Sequence, residues 1–274
     1  MSSMATHAAE IGRGERFEFG ENWRRFLDSL TEARISAAEK SLCEMLQVHS
    51  LHDRTFLDAG SGSGLFSLAA RRLGACVHSF DFDPKSVACT RELKRRYFPD
   101  DEYWRIEEAS ILDSDYLGKL GQFDVVYSWG VLHHTGAMWQ ALSNAATLVR
   151  PGGSLFIALY NDQGGISRRW KTIKKAYNRH PFLRAPLLAL AFARLYAAPL
   201  IRGFLRGNPH ALFEKYSDRG MSLWRDLVDW VGGYPFEVAA PGEVFEFFRA
   251  REFELTRLHT THTLGCNEFV LRRR

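Results

Sequence analysis

The sequence of 274 residues predicts an α/β protein with a doubly wound, mostly parallel sheet. Three observations predict this fold. Short apolar segments alternate with helical segments between residues 55 and 160, a glycine-rich turn follows the first apolar segment, and two strand-like segments occupy residues 253–272. Strands that alternate with helices form parallel sheets, because a crossover helix is the usual connection between parallel strands.

The N-terminal part is predicted to be helical. Apolar residues recur at intervals of three and four across residues 22–48, which is typical of amphipathic helices. These positions are Phe26, Leu30, Ile35, Ala38, Leu42 and Leu46. We therefore expect residues 1–49 to form a helical cover beside the sheet.

Strands and helices are predicted to alternate over the next part of the chain, with glycine and proline at the turns. The predicted strands are 55–59, 76–82, 103–108, 124–129 and 154–160, and the predicted helices are 65–73, 84–96 and 138–148. A Pro-Gly-Gly turn at 151–153 is predicted before the last of these strands. A helix over 241–252 and two closing strands joined by a turn at Gly265 complete a Rossmann-like sheet.

The alternation stops between residues 162 and 240. This stretch is rich in Arg, Trp, Tyr, Leu and Pro, and we interpret it as several helices. The predicted breaks between them are Pro181, Pro199, Gly207–Pro209 and Gly232–Gly233. The sequence therefore predicts a helical cap, 162–240, inserted before the last helix and closing strands of a domain made of residues 50–161 and 241–274.

Basic residues are concentrated in this insertion. The chain has a net charge of +4, but residues 161–220 hold 12 Lys or Arg and 3 Asp or Glu, and so carry +9. Such asymmetry indicates an anionic partner, such as a phosphate-bearing substrate, a membrane surface or nucleic acid, or else a solvated basic face. The apolar segment 182–205 has its longest uncharged run at 185–193, far below the roughly 20 residues of a membrane span. It could lie on a membrane, close over a hydrophobic substrate, or be buried in the cap or a dimer surface.

The composition is that of an ordinary globular protein. With 46% hydrophobic and 25% charged residues, it excludes a disordered, collagen-like or coiled-coil chain. The cysteines lie far apart without a Cys-x-x-Cys pair, which argues against a disulfide framework or a zinc site; they are Cys43, Cys76, Cys89 and Cys266. The first 20 residues lack a signal peptide's apolar core and carry several glutamates. We therefore expect a cytoplasmic protein.

A glycine loop is the strongest chemical signal in the sequence. The segment FLDAGSGSG, residues 56–64, follows a predicted strand and opens a helix, so its glycines permit a tight turn and close approach of a ligand. The spacing Gly60, Gly62, Gly64 differs from the GxGxxG pattern of dinucleotide sites. Asp81 ends the next strand, where a carboxylate can accept two hydrogen bonds from a ribose diol.

Four motifs in order carry a resemblance to a known family. FLDAGSGSG, VHSFDFD, the Phe123-Asp124 pair and LVRPGGSLFIAL together resemble the class I S-adenosylmethionine-dependent methyltransferases. The resemblance implies that the loop lies against the methionine end of S-adenosylmethionine, with Asp58 holding the amino group and Asp81 the ribose. Ser110 stands where many relatives have an Asp beside adenine. The cofactor-binding residues implied are Asp58, Gly60, Ser61, Gly62, Gly64, Asp81, Phe82, Ser110, Ile111 and Ser128.

A looser resemblance points to small-molecule substrates. YSWGVLHHTGAMWQAL and LVRPGGSLFIALYN are similar to the quinone-biosynthesis O-methyltransferases. Some of those enzymes have acidic residues near this histidine that can support a metal, whereas this chain has Gly130 and His133, so no metal site is expected. The Asn-Pro-Pro-Tyr tetrad of nucleic-acid and protein amide N-methyltransferases is absent, with residues 128–131 in its place.

Two adjacent histidines are the candidate catalytic residues. His133 and His134 follow the strand 124–129, at the carboxyl edge where open α/β sheets bind ligands. A histidine near neutral pKa can remove the proton of a hydroxyl that accepts a methyl group. We expect only one of the two to face the pocket and favour His134, while the other packs or caps the following helix.

Further candidates border the predicted pocket. Tyr160 and Asn161 end a strand at the same edge, and Asp162 is either a second base or the cap of a helix near Gly165. The segment WVGGYPFEVA places Tyr234 and Glu237 on the substrate side. An N-terminal cluster folds over the cofactor or packs in the core; its members are Phe17, Phe19, Asn22 and Trp23.

The sequence thus predicts a methyltransferase that acts on a small molecule at oxygen, possessing a cap that suits an amphiphilic or anionic substrate. Two alternatives stay open at this point. The first is an RNA methyltransferase that uses the basic insertion, although no RNA-binding module is evident. The second is a non-catalytic cofactor-binding or membrane-associated protein with the same fold.

Overall fold

The structure, a computed structural model, describes residues 3–20, 23, 26–27, 29–205, 223–263 and 265–274. A seven-stranded sheet lies at its centre. The strands are β1 Thr55–Ala59, β2 Cys76–Asp81, β3 Trp104–Glu108, β4 Phe123–Trp129, β5 Val149–Tyr160, β6 Phe253–His259 and β7 Cys266–Arg273. The helices are α1 Ser3–Gly12, α2 Glu32–Leu46, α3 Leu65–Arg72, α4 Pro84–Tyr97, α5 Ser114–Leu117, α6 Met138–Thr147, α7 Gly165–Arg179, α8 Arg184–Leu205, α9 Leu223–Gly232 and α10 Pro241–Arg249.

The strand order is β3-β2-β1-β4-β5-β7-β6. The first five strands in this order are parallel, whereas β7 is antiparallel to both β5 and β6. The predicted doubly wound, mostly parallel sheet is therefore confirmed. The chain direction across the sheet reverses between β1 and β4, and ligands of such sheets bind outside the carboxyl ends of the strands at this point.

Both faces of the sheet are buried. Along β1, Phe56 packs with the helices on one face and Leu57 with those on the other. Such strands read as continuous apolar runs because neither face meets water. On the face of the sheet that includes Phe56, the predicted N-terminal helix is present as α2. Its buried residues pack in the same apolar cluster; they are Ile35, Ala38, Leu42 and Met45.

The Pro-Gly-Gly segment differs from its prediction as a turn. Residues 150–153 lie within β5, where the pairing with β4 moves from Phe123–Val149 to Val125–Ser154. The extra residues form a bulge, and Gly152 takes a φ of +73°, which suits glycine. Strand β5 therefore begins at Val149, before the Pro-Gly-Gly segment.

The described parts of the insertion, residues 162–205 and 223–240, are mainly helical. Helices α7, α8 and α9 share an apolar cluster of their own, formed by Trp170, Tyr177, Leu188, Ala191, Tyr196, Leu227, Val231 and Phe236. The predicted breaks at Pro181 and Gly232–Gly233 are confirmed, since α7 ends at Arg179 and α9 at Gly232. The break at Gly207–Pro209 lies outside the described residues.

The predicted break at Pro199 is wrong, because α8 continues past it to Leu205. A proline inside a helix removes one backbone hydrogen bond and strains the preceding turn. The turns before it are fixed by burial of Leu188, Ala191 and Tyr196, which can offset that local loss. Within the described residues, none of the helices has the length and apolarity needed to cross a membrane.

Candidate functional site

The glycine loop joins β1 to α3 at the carboxyl edge of the sheet. Gly60, Gly62 and Gly64 have φ values of +87°, +54° and +82°, a region that favours glycine. A Cβ on Gly60 would lie 2.3 Å from the Val131 side chain, and one on Gly64 would lie 2.8 Å from Thr90 Cα. Side chains at these positions are therefore excluded by conformation and by space. Gly60 thus lies against Val131, two residues before His133.

Asp81 lies where β2 ends, beside this loop. Its Oδ2 accepts a hydrogen bond from the Gly62 N–H at 2.8 Å, and its Oδ1 accepts one from the Asp83 N–H at 2.8 Å. Burial raises the pKa of this carboxyl to about 6, although both hydrogen bonds oppose the rise. Each carboxylate oxygen retains a lone pair, so the group can also accept hydrogen bonds from a diol.

Asp58 is more deeply buried, within β1. It is 2% exposed, and its Oδ2 accepts a hydrogen bond from Ser67 Oγ at 2.5 Å. Burial raises its pKa to about 7, against the lowering effect of the Ser67 hydroxyl. The carboxyl is thus tied to α3 through Ser67, and an ammonium group nearby would favour its ionised form.

The hydroxyls predicted to bind cofactor are engaged inside the protein. Ser128 Oγ donates to the Ala59 carbonyl at 2.7 Å, and Ser61 Oγ lies 2.9 Å from Thr90 Oγ1. Ser110 Oγ accepts from the Leu112 N–H at 3.1 Å, in the turn after β3. Ile111 is buried in the sheet's apolar core. These four residues shape the edge of the site in the structure.

The N-terminal segment lies along the same edge. Arg16 stacks on Phe82, with its guanidinium carbon 4.9 Å from the ring centroid, and its Nη1 donates to the His134 carbonyl at 3.0 Å. Trp23 Nε1 lies 3.2 Å from where a Cβ on Gly62 would be. The Phe19 ring is 5.0 Å from the His134 ring. Asn22, which was predicted to belong to this N-terminal cluster, lies outside the described residues. Arg16 was not among the residues predicted from the sequence.

His133 lies in a short 3₁₀ turn that follows β4. Its side chain is completely buried, and neither ring nitrogen has a hydrogen-bond partner among the described residues. Its ring centroid is 4.1 Å from that of Tyr160. Burial lowers the pKa of His133 well below its ordinary value, and His134 and Lys174 lower it further, while the Ala158 carbonyl opposes this. The imidazole is therefore neutral, and apart from the weak interaction with the Ala158 carbonyl its buried nitrogens lack hydrogen bonds to the described residues, which costs free energy.

His134 is partly exposed and has a defined tautomer. Its Nδ1 lies 2.6 Å from the Pro235 carbonyl oxygen. A carbonyl can only accept, so Nδ1 carries the proton and Nε2 of the neutral ring carries a lone pair. Burial lowers the pKa of His134 to about 3; the hydrogen bond to Pro235 opposes this, and the charges of Lys174 and Arg16 add to it. The neutral ring is the form that can accept a proton, although burial makes it a weaker base than an exposed histidine.

Aromatic rings enclose the histidines on the side of the insertion. The Tyr160 ring, at the end of β5, lies 5.5 Å from Trp230 and 5.2 Å from Phe236 between ring centroids. Tyr160 thus borders the histidines. Trp230 and Phe236, which the sequence reasoning did not single out, connect this site to the apolar cluster of the insertion.

Lys174 is a second residue that the sequence reasoning missed. Its side chain is fully buried on α7, with Nζ 4.1 Å from the Trp230 ring centroid and donating to the Trp230 carbonyl. Burial lowers its pKa to about 7, while the charge of Asp229 raises it. The helical spacing of Trp170, Lys174 and Tyr177 on one face is the sequence signal that could have identified it.

The other predicted substrate residues have structural partners. Glu237 Oε2 accepts the Met138 N–H at 3.0 Å, which caps the start of α6. Asn161 Nδ2 donates to the Thr261 carbonyl at 3.1 Å, and Asn161 Oδ1 accepts from Asn267 at 3.1 Å. These contacts hold the end of β5 against the β6–β7 connection. Glu237 and Asn161 thus have structural partners at this edge of the sheet.

Two neighbouring positions complete the edge. The Tyr234 carbonyl accepts the Phe17 N–H at 2.8 Å, which attaches the loop after α9 to the N-terminal segment. Asp162 Oδ1 accepts the Gly164 N–H at 2.8 Å just before α7. This bond forms a turn before the helix, and the N-cap residue of α7 is Gly164 without a side-chain cap, so both interpretations of Asp162 stay open.

The arrangement as a whole fits S-adenosylmethionine. Only glycine fits at Gly60 and Gly64, so the turn that lets a ligand approach the backbone is built into the fold. Asp81 offers acceptors for the two ribose hydroxyls, and Asp58 offers a negative charge near the loop for an amino group. The donors and acceptors present are those that a nucleoside with an amino-acid tail requires.

Residues 57–155 match a family model described as a methyltransferase domain. The chain is 28% identical over 160 residues to the ubiquinone biosynthesis O-methyltransferase of Methylococcus capsulatus, covering 58% of this chain and 65% of that protein. It is 32% identical over 105 residues to the protein of the same name from Xanthomonas campestris pv. campestris, covering 38% and 42%. The chain thus spans about two thirds or less of the length of these curated relatives.

Solved structures share the fold. A magnesium protoporphyrin IX methyltransferase from Synechocystis PCC 6803 with bound SAH has a TM-score of 0.54 at 13% identity, covering 88% of this chain and 83% of that chain. The 1,6-didemethyltoxoflavin-N1-methyltransferase of Burkholderia thailandensis has a TM-score of 0.52 at 16% identity, covering 98% and 89%. The sequence motifs, the sheet and these likenesses agree. Residues 57–155 thus match a methyltransferase domain, and the described sheet has the fold of these solved methyltransferases.

Proposed function

We propose that the protein transfers a methyl group from S-adenosylmethionine to an oxygen atom of a small molecule. The observation that carries this proposal is the tautomer of His134, whose Nδ1 donates to the Pro235 carbonyl and leaves Nε2 able to accept a proton. A hydroxyl acceptor must lose its proton as the new bond forms, so it needs such a base. The names of the curated relatives, which are O-methyltransferases, support the same acceptor atom.

When bound, S-adenosylmethionine supplies an electrophilic methyl group on a sulfonium that is a good leaving group. The chain's residues bind it, orient the acceptor and hold the proton that the hydroxyl releases. The acceptor hydroxyl would take the methyl group as the carbon–sulfur bond of the donor breaks, and His134 Nε2 would accept the hydroxyl proton. The resulting imidazolium would keep its Nδ1 hydrogen bond to Pro235, which stabilises the charge.

His133 has a different proposed role. Its buried nitrogens have no partner among the described residues, and its ring lies against Tyr160 and His134. We propose that it donates to or accepts from the bound acceptor and so fixes the direction of the hydroxyl. The insertion, residues 162–240, is proposed to act as the cap that excludes water from this reaction.

The test is methyl transfer from an isotopically labelled donor to small molecules of a cell extract, with catechol as a simple added acceptor. We expect a labelled methyl ether as the product. His134→Ala should lower the rate of transfer by about 100-fold or more, the usual contribution of a general base. His49→Ala, which removes an exposed histidine elsewhere, is the matched control and should keep the wild-type rate.

Two outcomes would contradict the proposal. One is a product labelled at nitrogen, sulfur or carbon, because such a product would exclude oxygen as the acceptor atom. The other is a wild-type rate in the His134→Ala and His133→Ala variants alike. Labelled RNA in place of a small-molecule product would support the basic insertion as an RNA-binding surface instead.

A further inference from the structure

We propose that a groove in the insertion binds an amphiphilic organic anion, a molecule with an apolar body and one acidic group, and that this is the substrate class of the enzyme. The proposal rests on the proposed methyl transfer for its link to catalysis. The groove lies between α7, α8, α9 and the connection of β6 to β7, and its volume is about 900 Å³. Cavities of this size hold organic molecules of some tens of heavy atoms.

Apolar side chains form most of the groove. Trp170 and Ile173 come from α7, and Leu187 and Leu195 come from α8. Two further lining residues, Ile166 and Leu190, are 47% and 60% exposed, so apolar surface continues to the open side of the groove. Water in contact with this surface would be released when an apolar body enters. The lining therefore selects an apolar or aromatic molecule.

The charges of the groove are of one sign. Arg169 on α7 and Arg194 on α8 both line it, together with His262, and no Asp or Glu of the described residues does. Neither arginine forms an ion pair or hydrogen bond with an acidic side chain within the described ranges. A guanidinium binds a carboxylate through two parallel hydrogen bonds, so the pair is suited to an acidic group. This gives a specific role to part of the positive charge of residues 161–220.

Trp230 connects the groove to the histidines. Its ring lines the groove and also lies 5.5 Å from Tyr160, which in turn contacts His133. Its Nε1 is buried and has no acceptor among the described residues. An oxygen atom of a molecule in the groove would satisfy that donor. The Trp230–Tyr160 pair therefore lies between the groove and the candidate base. A molecule bound against this pair, with its acidic group at the arginines, has its other end directed towards His134.

The binding test uses decanoate, with 1-decanol and decyltrimethylammonium as neutral and cationic molecules of the same chain length. Titration calorimetry is done on the full chain, without S-adenosylmethionine and below the micelle concentration of each probe. We expect saturable binding of one decanoate per chain, about tenfold or more tighter than the cation, because two arginines face the groove. Decanol is expected to bind between the two.

Charge-reversal variants locate the site. Arg169→Glu and Arg194→Glu should each weaken decanoate binding about tenfold or more. Arg168→Glu makes the same charge change at an exposed neighbour on α7 that does not line the groove, and should leave the affinity within about twofold. Trp230→Phe keeps an aromatic ring and removes the Nε1 donor, and should weaken decanoate more than decyltrimethylammonium.

Three results would overturn the groove proposal: no saturable binding of decanoate, equal affinity for the anion and the cation, or an Arg168→Glu variant as weak as the two groove variants. Because none of these readouts requires turnover, they are independent of the proposed function. Decanoate binding with the expected variants, together with no methyl transfer to any acceptor, would contradict the proposed function alone. Methyl transfer without decanoate binding would contradict the groove alone.

Discussion

The sheet and the insertion contribute to the site in different ways. At the carboxyl edge of the sheet, the site is built mainly from backbone geometry, with glycines at positive φ and the Asp81 carboxylate, which accepts two backbone N–H groups. In the insertion, the site is built from side chains such as Lys174 and Trp230, enclosed in an apolar cluster of their own. The family model matches residues 57–155 and ends before the insertion begins. We infer that the first region determines the cofactor and the second determines the substrate.

The largest expected effect lies in the glycine loop. Gly60→Ala introduces a Cβ at 2.3 Å from Val131 on a residue with φ of +87°, so we expect the free energy of unfolding to fall by at least about 3 kcal/mol. Gly152→Ala is the matched control, since its φ of +73° is similar but no atom lies within 4 Å of the new Cβ. The control should lose only about 1–2 kcal/mol in denaturant unfolding. Equal losses would show that the Val131 contact contributes nothing.

Asp81 should give the next effect, on cofactor binding. Asp81→Asn removes one acceptor beside the loop, and the dissociation constant of S-adenosylhomocysteine should rise about tenfold or more at pH 8. In the wild type, the same constant should rise as the pH falls through about 6, because the protonated carboxyl of Asp81 loses an acceptor. The Asn variant should lack this change. An unaltered affinity of Asp81→Asn would remove Asp81 from the cofactor site.

The strands of the sheet were predictable because their signals are local. Apolar runs bounded by glycine, proline or aspartate placed β1, β2 and β4 within a residue of their observed ends. The same kind of signal misplaced the Pro-Gly-Gly segment, since the bulge in β5 depends on its pairing with β4. The break predicted at Pro199 was wrong because packing of the preceding turns of α8 outweighs the effect of the proline.

Site residues at the ends of strands were predictable from the sequence. Those whose role depends on contacts with other segments were less so. The strand ends placed Asp81, His134 and Tyr160 at one edge without any knowledge of their partners. Glu237 accepts the N–H of Met138, a residue far from it in the sequence, so its contact could not be predicted from local pattern. Lys174 lies among the basic residues that suggested a solvated face, and only packing against Trp230 shows that it is buried.

The pH dependence of stability also distinguishes the insertion from the sheet. The folded pKa of Lys174, about 7, is below its ordinary value of 10.5, so between these values the unfolded chain binds more protons than the folded one. The free energy of unfolding of the wild type should therefore rise with pH in this window, by up to about 1.4 kcal/mol per pH unit from this group. Lys174→Met should lack that contribution. Parallel stability curves for the two proteins between pH 7 and 10 would show that the ammonium is not buried.

The most direct test of the division between the two regions is a paired measurement on His134→Ala. The rate of methyl transfer and the dissociation constant of S-adenosylhomocysteine are determined on the same preparation, beside the wild type. His134 is expected to serve the acceptor and not the cofactor, since its Nδ1 is held by Pro235 from the insertion side. We predict that transfer falls about 100-fold or more while the dissociation constant stays within about twofold. An unchanged rate, or a loss of cofactor affinity that matches the loss of rate, would contradict this assignment.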